Sequence, residues 1–161
     1  MTTTDRSPSP SGRTAARAPW WVRMFNPVAR PLLAAGVPLG PNALLTVRGR
    51  TTGQPRTTPV ALIEVGGRRW VWAPWGEVNW VRNLRAARRA TITVRGRPAE
   101  VRATELDRAG RVSFFRDTLG PHARGIPLGY WFIRIADGTD LNHPDDAAED
   151  RRVFELEPLG S

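Results

Sequence analysis

An α+β fold on a mainly antiparallel β-barrel is predicted by three features of the chain: short apolar runs joined by tight turns, one helical pattern inserted among them, and further short helical patterns towards the C-terminus. Residues 43–48, 57–65 and 69–73 have strand length and apolar periodicity, and Gly66-Gly67 between the last two is a hairpin signal. Pro59 cannot donate to a ladder, so its strand is expected to start there or to lie at an edge or bend. Trp70 and Trp72 are two residues apart and share one face. A helix is predicted over residues 79–87, with Asn79 as its cap, placing Trp80, Asn83, Leu84 and Ala87 on one face and Arg82, Arg85 and Arg89 on another. An amide among Trp and Leu must be hydrogen-bonded, so Asn83 either ties down a neighbouring loop or meets a ligand. Residues 91–95 and 99–104 make a second hairpin around Gly96-Arg97-Pro98, residues 107–118 and 144–151 can be helical, and residues 152–157 form a last strand.

At 161 residues and 17.9 kDa the chain has room for one domain with a real core. Residues 1–18, rich in Thr, Ser, Pro and Arg, are expected to form a disordered tail, leaving 19–161 as a single domain. The chain contains no cysteine and only two histidines, His122 and His143, which argues against disulfides, thiolate chemistry and a metal centre. The formal charge is +9, the pI is near 11.6, and all 24 basic residues are arginine. No lysine is present for a Schiff base or a general base. Such a field favours acidic ligands: a polyanionic cofactor, nucleic acid or an anionic membrane. The lack of a long apolar run predicts a cytoplasmic protein. Residues 19–33 mix Trp, Phe, Arg and Pro, and suit either packing across the barrel or peripheral contact with the inner membrane face.

Two motifs carry the chemistry. Arg48-Gly49-Arg50-Thr51-Thr52-Gly53-Gln54-Pro55-Arg56-Thr57-Thr58-Pro59 gathers three arginines, four threonines and two glycines around one turn. Glycine lets backbone approach a ligand, threonine adds hydroxyl donors, and guanidinium matches phosphate or carboxylate bidentately, so the turn suits an anion. Downstream, Trp75-Gly76-Glu77-Val78-Asn79-Trp80 opens the helix that carries Asn83.

Together the order Gly-Arg-x-Thr-Gly-x-x-Arg-x-x-Pro, a tryptophan-rich strand, a glycine loop and Trp-x-x-Asn-Leu resembles the deazaflavin (F420)-dependent nitroreductase and quinone reductase family of actinobacteria. The resemblance spans roughly residues 43–104, and Arg152 to Pro158 looks like the family's closing strand. It implies a split, FMN-binding-like β-barrel and coenzyme F420, a deazaflavin carrying a phosphate and an oligoglutamate tail, with FMN a lesser candidate. By resemblance, Arg50, Thr51, Thr52, Gly53 and Arg56 take the phosphate and Thr57, Thr58 and Pro59 line the ring. Trp75, Gly76, Asn79, Trp80 and Asn83 enclose it, and Tyr130 is the candidate proton donor. Relatives often carry lysine where Thr51 stands, so Arg48, Arg50 or Arg56 must supply that charge, and an arginine rim of Arg48, Arg50, Arg82 and Arg85 would favour the acidic tail. The implied activity is hydride transfer to a small electron-poor acceptor such as a quinone, nitroaromatic or activated enone, by a monomer or homodimer.

Two other classes stay open: a non-catalytic split barrel binding FMN, haem or lipid, and a nucleic-acid module using arginines and stacked tryptophans. The tryptophans stand in apolar runs that a core needs, so no nucleic-acid partner is expected. His122 and Arg124 suit a solvated loop or an acidic substrate, and the acid-rich residues 137–150 read as surface.

Overall fold

The structure, a computed structural model, describes residues 42–125 and 140–160. Residues 1–18, the 19–33 segment and Tyr130 lie outside them. Strands β1 (Asn42–Arg48), β2 (Pro55–Val65) and β3 (Arg68–Ala73) follow one another as antiparallel hairpins. Gly66 and Gly67, with φ of 58° and 76°, make the left-handed turn whose twist matches the strands it joins. Helix α1 (Asn79–Ala87) precedes β4 (Arg89–Val94) and β5 (Arg97–Glu105), and β6 (Arg152–Pro158) closes the fold. The strand order β1-β2-β3-β6-β5-β4 returns from β4 to β1, so the sheet is a closed antiparallel barrel.

Alternation fills the barrel. Leu45, Val71, Ile92, Val101 and Phe154 point inward and are at most 1% exposed, each contributing about 1.5–3 kcal/mol of burial. Val81 and Leu84 of α1, both fully buried, stopper the end at which the β1–β2 loop lies. The outer face of β3 carries Trp70 and Trp72, as their spacing predicts, and a second apolar layer covers them. That layer comes from α2 (Arg108–Ser113), a π-helical turn (Phe114–Leu119), α3 (Gly120–Gly125) and α4 (Pro144–Asp150). Phe114 and Phe115 stand 5.8 Å from Trp70 and 5.9 Å from Trp72 between ring centroids. The core therefore uses these tryptophans, and neither offers a stacking surface.

Several boundaries differ from expectation. β2 begins at Pro55, and Pro59 sits within it. Proline is tolerated there because residues 55–60 pair with β1 alone; β3 joins β2 only from Ala61 onward. Helix α1 stops at Ala87 because Arg88 turns left-handed, with φ of 54°, and its N–H returns to the Leu84 carbonyl, so Arg89 belongs to β4. The second hairpin turns on Arg95-Gly96, one residue earlier than expected. Asp107 caps α2 by accepting from the Gly110 N–H at 2.7 Å, and the helical run continues to Gly125 through the π turn, which carries His122 and Arg124 on a helix. Helix α4 presents Ala147 and Ala148 to the core and its carboxylates to water.

Candidate active site

Six residues, Gly49 to Gln54, connect β1 to β2 and fold back on themselves. Gly49 donates to the Gln54 carbonyl and Gly53 to the Gly49 carbonyl, each at 2.8 Å, while the Gln54 N–H reaches Thr52 Oγ1 at 3.3 Å. A Cβ on Gly49 would stand 3.1 Å from Thr52 Oγ1 and 3.2 Å from the Gln54 oxygen, tighter than ordinary contact, so the loop's compactness depends on that glycine. The loop is also strapped to α1. Asn83, the polar side chain buried among the described residues, accepts from the Arg50 N–H at 3.2 Å and from Arg50 Nη1 at 3.0 Å. Both donors meet the same oxygen, which fixes the amide orientation and turns its NH2 group away from Arg50.

Between this loop, the start of β2 and α1 opens a cavity of about 610 Å3, within the usual range for small-molecule sites. Of the residues picked out in the sequence, Arg50, Thr51, Thr52, Arg56, Thr57, Thr58, Asn79, Trp80 and Asn83 line it. Gly49 and Pro55, quoted in the motif but not chosen, line it as well. Gly53, Pro59, Trp75 and Gly76 do not. Gly53 serves the loop's backbone, with φ of 68°, and Pro59 lies one residue further along β2. Trp75 and Gly76 belong to the β3–α1 connection, where a Cβ on Gly76 would stand 2.8 Å from the Asp150 oxygen. Asn79 is not the cap of α1: Val78 holds that position without a side-chain bond, and Asn79 is free to face the cavity. Trp80 has two roles, packing on the barrel core with its ring 6.1 Å from Phe154 and forming part of the cavity wall.

The charges sort themselves. Arg48, Arg50 and Arg56 have no carboxylate partner among the described residues. On the neighbouring hairpin Arg89 faces Arg102. Arg85, by contrast, is consumed by structure. It binds Glu77 through both terminal nitrogens, at 3.0 and 2.8 Å, and Glu105 through Nη2 at 2.7 Å. Arg152 Nε adds a bond to Glu77 at 3.0 Å, and Arg82 approaches the same carboxylate at 4.0 Å. This cluster pins the β3–α1 connection to α1, β5 and β6. Hydrogen bonds from Arg85, and then from Arg152, hold Glu77 down at about 2 despite its partial burial. Bonds to Glu105 and Glu77 raise Arg85. The expected rim therefore loses Arg85 and most of Arg82, and the free positive charge lies on the Arg48, Arg50 and Arg56 side.

The match to the F420H2-dependent quinone reductase family model runs over residues 20–122. The chain belongs to that family. Coenzyme F420 is the cofactor that the family implies. No curated protein matches the chain in sequence. Solved structures are similar at low identity. A protein of unknown function from Agrobacterium tumefaciens is 18% identical, with a TM-score of 0.48 over 94% of this chain and 60% of its own. An F420-H2 dependent reductase is also 18% identical, with a TM-score of 0.45 over 73% of this chain and 94% of its own. A Clostridium acetobutylicum protein related to general stress protein 26, of the pyridoxinephosphate oxidase family, is 12% identical, with a TM-score of 0.47 over 76% and 78%. The chain thus spans less than two thirds of the Agrobacterium protein.

The cavity suits such a coenzyme on its own chemistry. Its lining offers guanidinium, hydroxyl and amide donors and no carboxylate, as a phosphate-bearing ligand needs. No helix among the described residues is long and apolar enough to cross a membrane, and no group of His, Asp or Glu there could hold a metal.

Proposed function

We propose that this protein is an F420-dependent reductase that passes reducing equivalents from F420H2 to a small electron-poor acceptor, with quinones the leading class and nitroaromatics and activated enones as chemical relatives. The observation that carries this reading is the pair Arg50 and Arg56, unmatched by any described carboxylate, the first on a loop held in place by Asn83 and the second at the start of β2. Arg50, Arg56, Thr51 and Thr52 would bind the coenzyme's phosphate, with Gly53 shaping the turn around it. Thr57 and Thr58, on the part of β2 that lacks a β3 neighbour, would lie along the ring, with Pro59 ending that wall. Asn79 and Trp80 would close the opposite side, and Trp75 and Gly76 would shape the connection above it.

When bound, reduced F420 supplies the hydride. The protein's own contribution is alignment and exclusion of water, which lowers the barrier by holding reactants in a near-attack arrangement. No His, Asp, Glu or Tyr lines the cavity among the described residues, so the product's proton would come from solvent or from Tyr130. Trp80 on the cavity wall supplies a reporter. Titration with F420 should quench tryptophan fluorescence in the micromolar range, and F420H2 should be reoxidised when a quinone is added. Quenching by FMN but not by F420 would overturn the coenzyme reading, and tight F420 binding without turnover of any acceptor class would overturn the catalytic one.

A further inference from the structure

At the end of the barrel remote from the strapped loop lies a second cavity, of about 420 Å3, which shares no residue with the first. Arg95 of the β4–β5 turn and Arg97 at the start of β5 flank it on one side and Arg69 of β3 faces them across the mouth. Ile92, 1% exposed, and Val94 form its floor. Arg69 is partnered by Glu64 at 2.8 Å, whereas Arg95 and Arg97 have no carboxylate partner among the described residues. Strand alternation turns Arg69 and Arg97 to the inner side, in line with Val71 and Val101.

The backbone adds a second observation. Arg95 has φ of 49° and Gly96 φ of 75°, the double left-handed turn that ordinarily selects asparagine or glycine at its first position. An arginine there is strained, and such strain gathers at sites where the side chain is used. A bare inorganic anion would satisfy the rim and leave the apolar floor wet. An uncharged apolar molecule would cover the floor and leave the guanidinium groups unanswered.

We propose that this mouth is a second ligand site, taking a small aromatic carboxylate whose charged head meets Arg95 and Arg97 and whose ring lies on Ile92 and Val94. Guanidinium planes both pair with carboxylates and stack on rings, and Arg68 already stands 4.9 Å over Trp70 at this end of the barrel. The cavity volume is in the range of small-molecule sites.

The probe is 1-naphthoate, titrated calorimetrically into the full chain. One equivalent should bind below millimolar concentration with F420 present or absent, and neutral 1-naphthalenemethanol should bind at least tenfold more weakly. Combining Arg95→Gly with Arg97→Gln should weaken naphthoate at least tenfold while F420 affinity stays the same. Arg95→Gly alone should raise the melting temperature, since glycine accepts the left-handed turn, and still lower naphthoate affinity; a purely structural Arg95 would not give these opposite responses. Displacement of naphthoate by F420, equal binding to the double variant, equal binding of the neutral analogue, or no binding below millimolar concentration would each overturn the proposal.

Discussion

Replacing Asn83 by alanine tests the claim that the strap to α1 organises the loop. The substitution removes the acceptor for the Arg50 N–H and for Arg50 Nη1. A neutral hydrogen bond nets about 0.5–1.5 kcal/mol and one to a charged group about 1.5–3, so the pair comes to about 2–4 kcal/mol. Arg50 is exposed, and water regains part of both contacts, which brings the expected loss to about 1–2 kcal/mol. Urea unfolding should report it as a lower midpoint at unchanged slope. A loop that must be ordered afresh for each ligand should cost F420 affinity by about a factor of five to thirty. Asn83→Asp separates the two effects. Its carboxylate keeps the acceptor and strengthens the bond to Arg50, yet places negative charge on the cavity wall, so stability at neutral pH should hold while F420 binding weakens. An Asn83→Ala protein with native midpoint and native affinity would refute the strap, and an Asn83→Asp protein with native affinity would refute the placement of an anion beside it.

Further expectations follow from the same geometry. Arg56→Ala should weaken F420 about ten- to hundredfold with little change in melting temperature, because the side chain is exposed and its contribution is a charge-assisted bond to the ligand; native affinity would place the anion site elsewhere. Gly76→Ala should destabilise by about 1–3 kcal/mol or more, since a left-handed φ of 69° is joined by a clash with the Asp150 oxygen, and should exceed Gly53→Ala, where nothing lies within 4 Å; chemical denaturation compares them directly. Glu77 is lowered in the fold to about 2, so the stability it confers is present above the unfolded carboxylate range and is lost as pH falls from about 5 towards 2; Glu77→Gln should flatten that limb of a stability–pH curve. F420 with a long glutamate tail should bind more tightly than its tail-free precursor at low salt, through the exposed Arg48 and Arg56, with the gap closing as salt shortens the Debye length below about 8 Å. Equal affinity at low salt would assign that surface to another partner.

How far the chain could be read depended on how local each signal was. Gly66-Gly67, the alternation of Trp70 and Trp72 and the Arg-Gly-Thr turn are written within a few residues, and the hairpins, the covered face of β3 and most of the cavity lining follow from them. Asn83 could be recognised as an amide that needed a partner, but the partner, Arg50, stands 33 residues away, and only the fold brings it near. Glu77, Arg85, Glu105 and Arg152 formed no motif because 75 residues separate the outer members, so Arg85 looked available to a ligand when it is engaged by Glu77 and Glu105. The π turn at Phe114–Leu119 hides for another reason: one widened turn leaves the apolar pattern that an ordinary helix would show.

Strand β2 changes partners at Ala61, and its two halves answer to different forces. Amide protons that β2 directs at β3 around the buried Leu62 and Ile63, the latter backed by the second apolar layer, should be among the slowest to exchange with solvent. Those of residues 56–58 can be released by local fluctuation of one hairpin, and a ligand seated in the cavity should slow them selectively. A single strand thus carries a slow clock at one end and a ligand-sensitive one at the other.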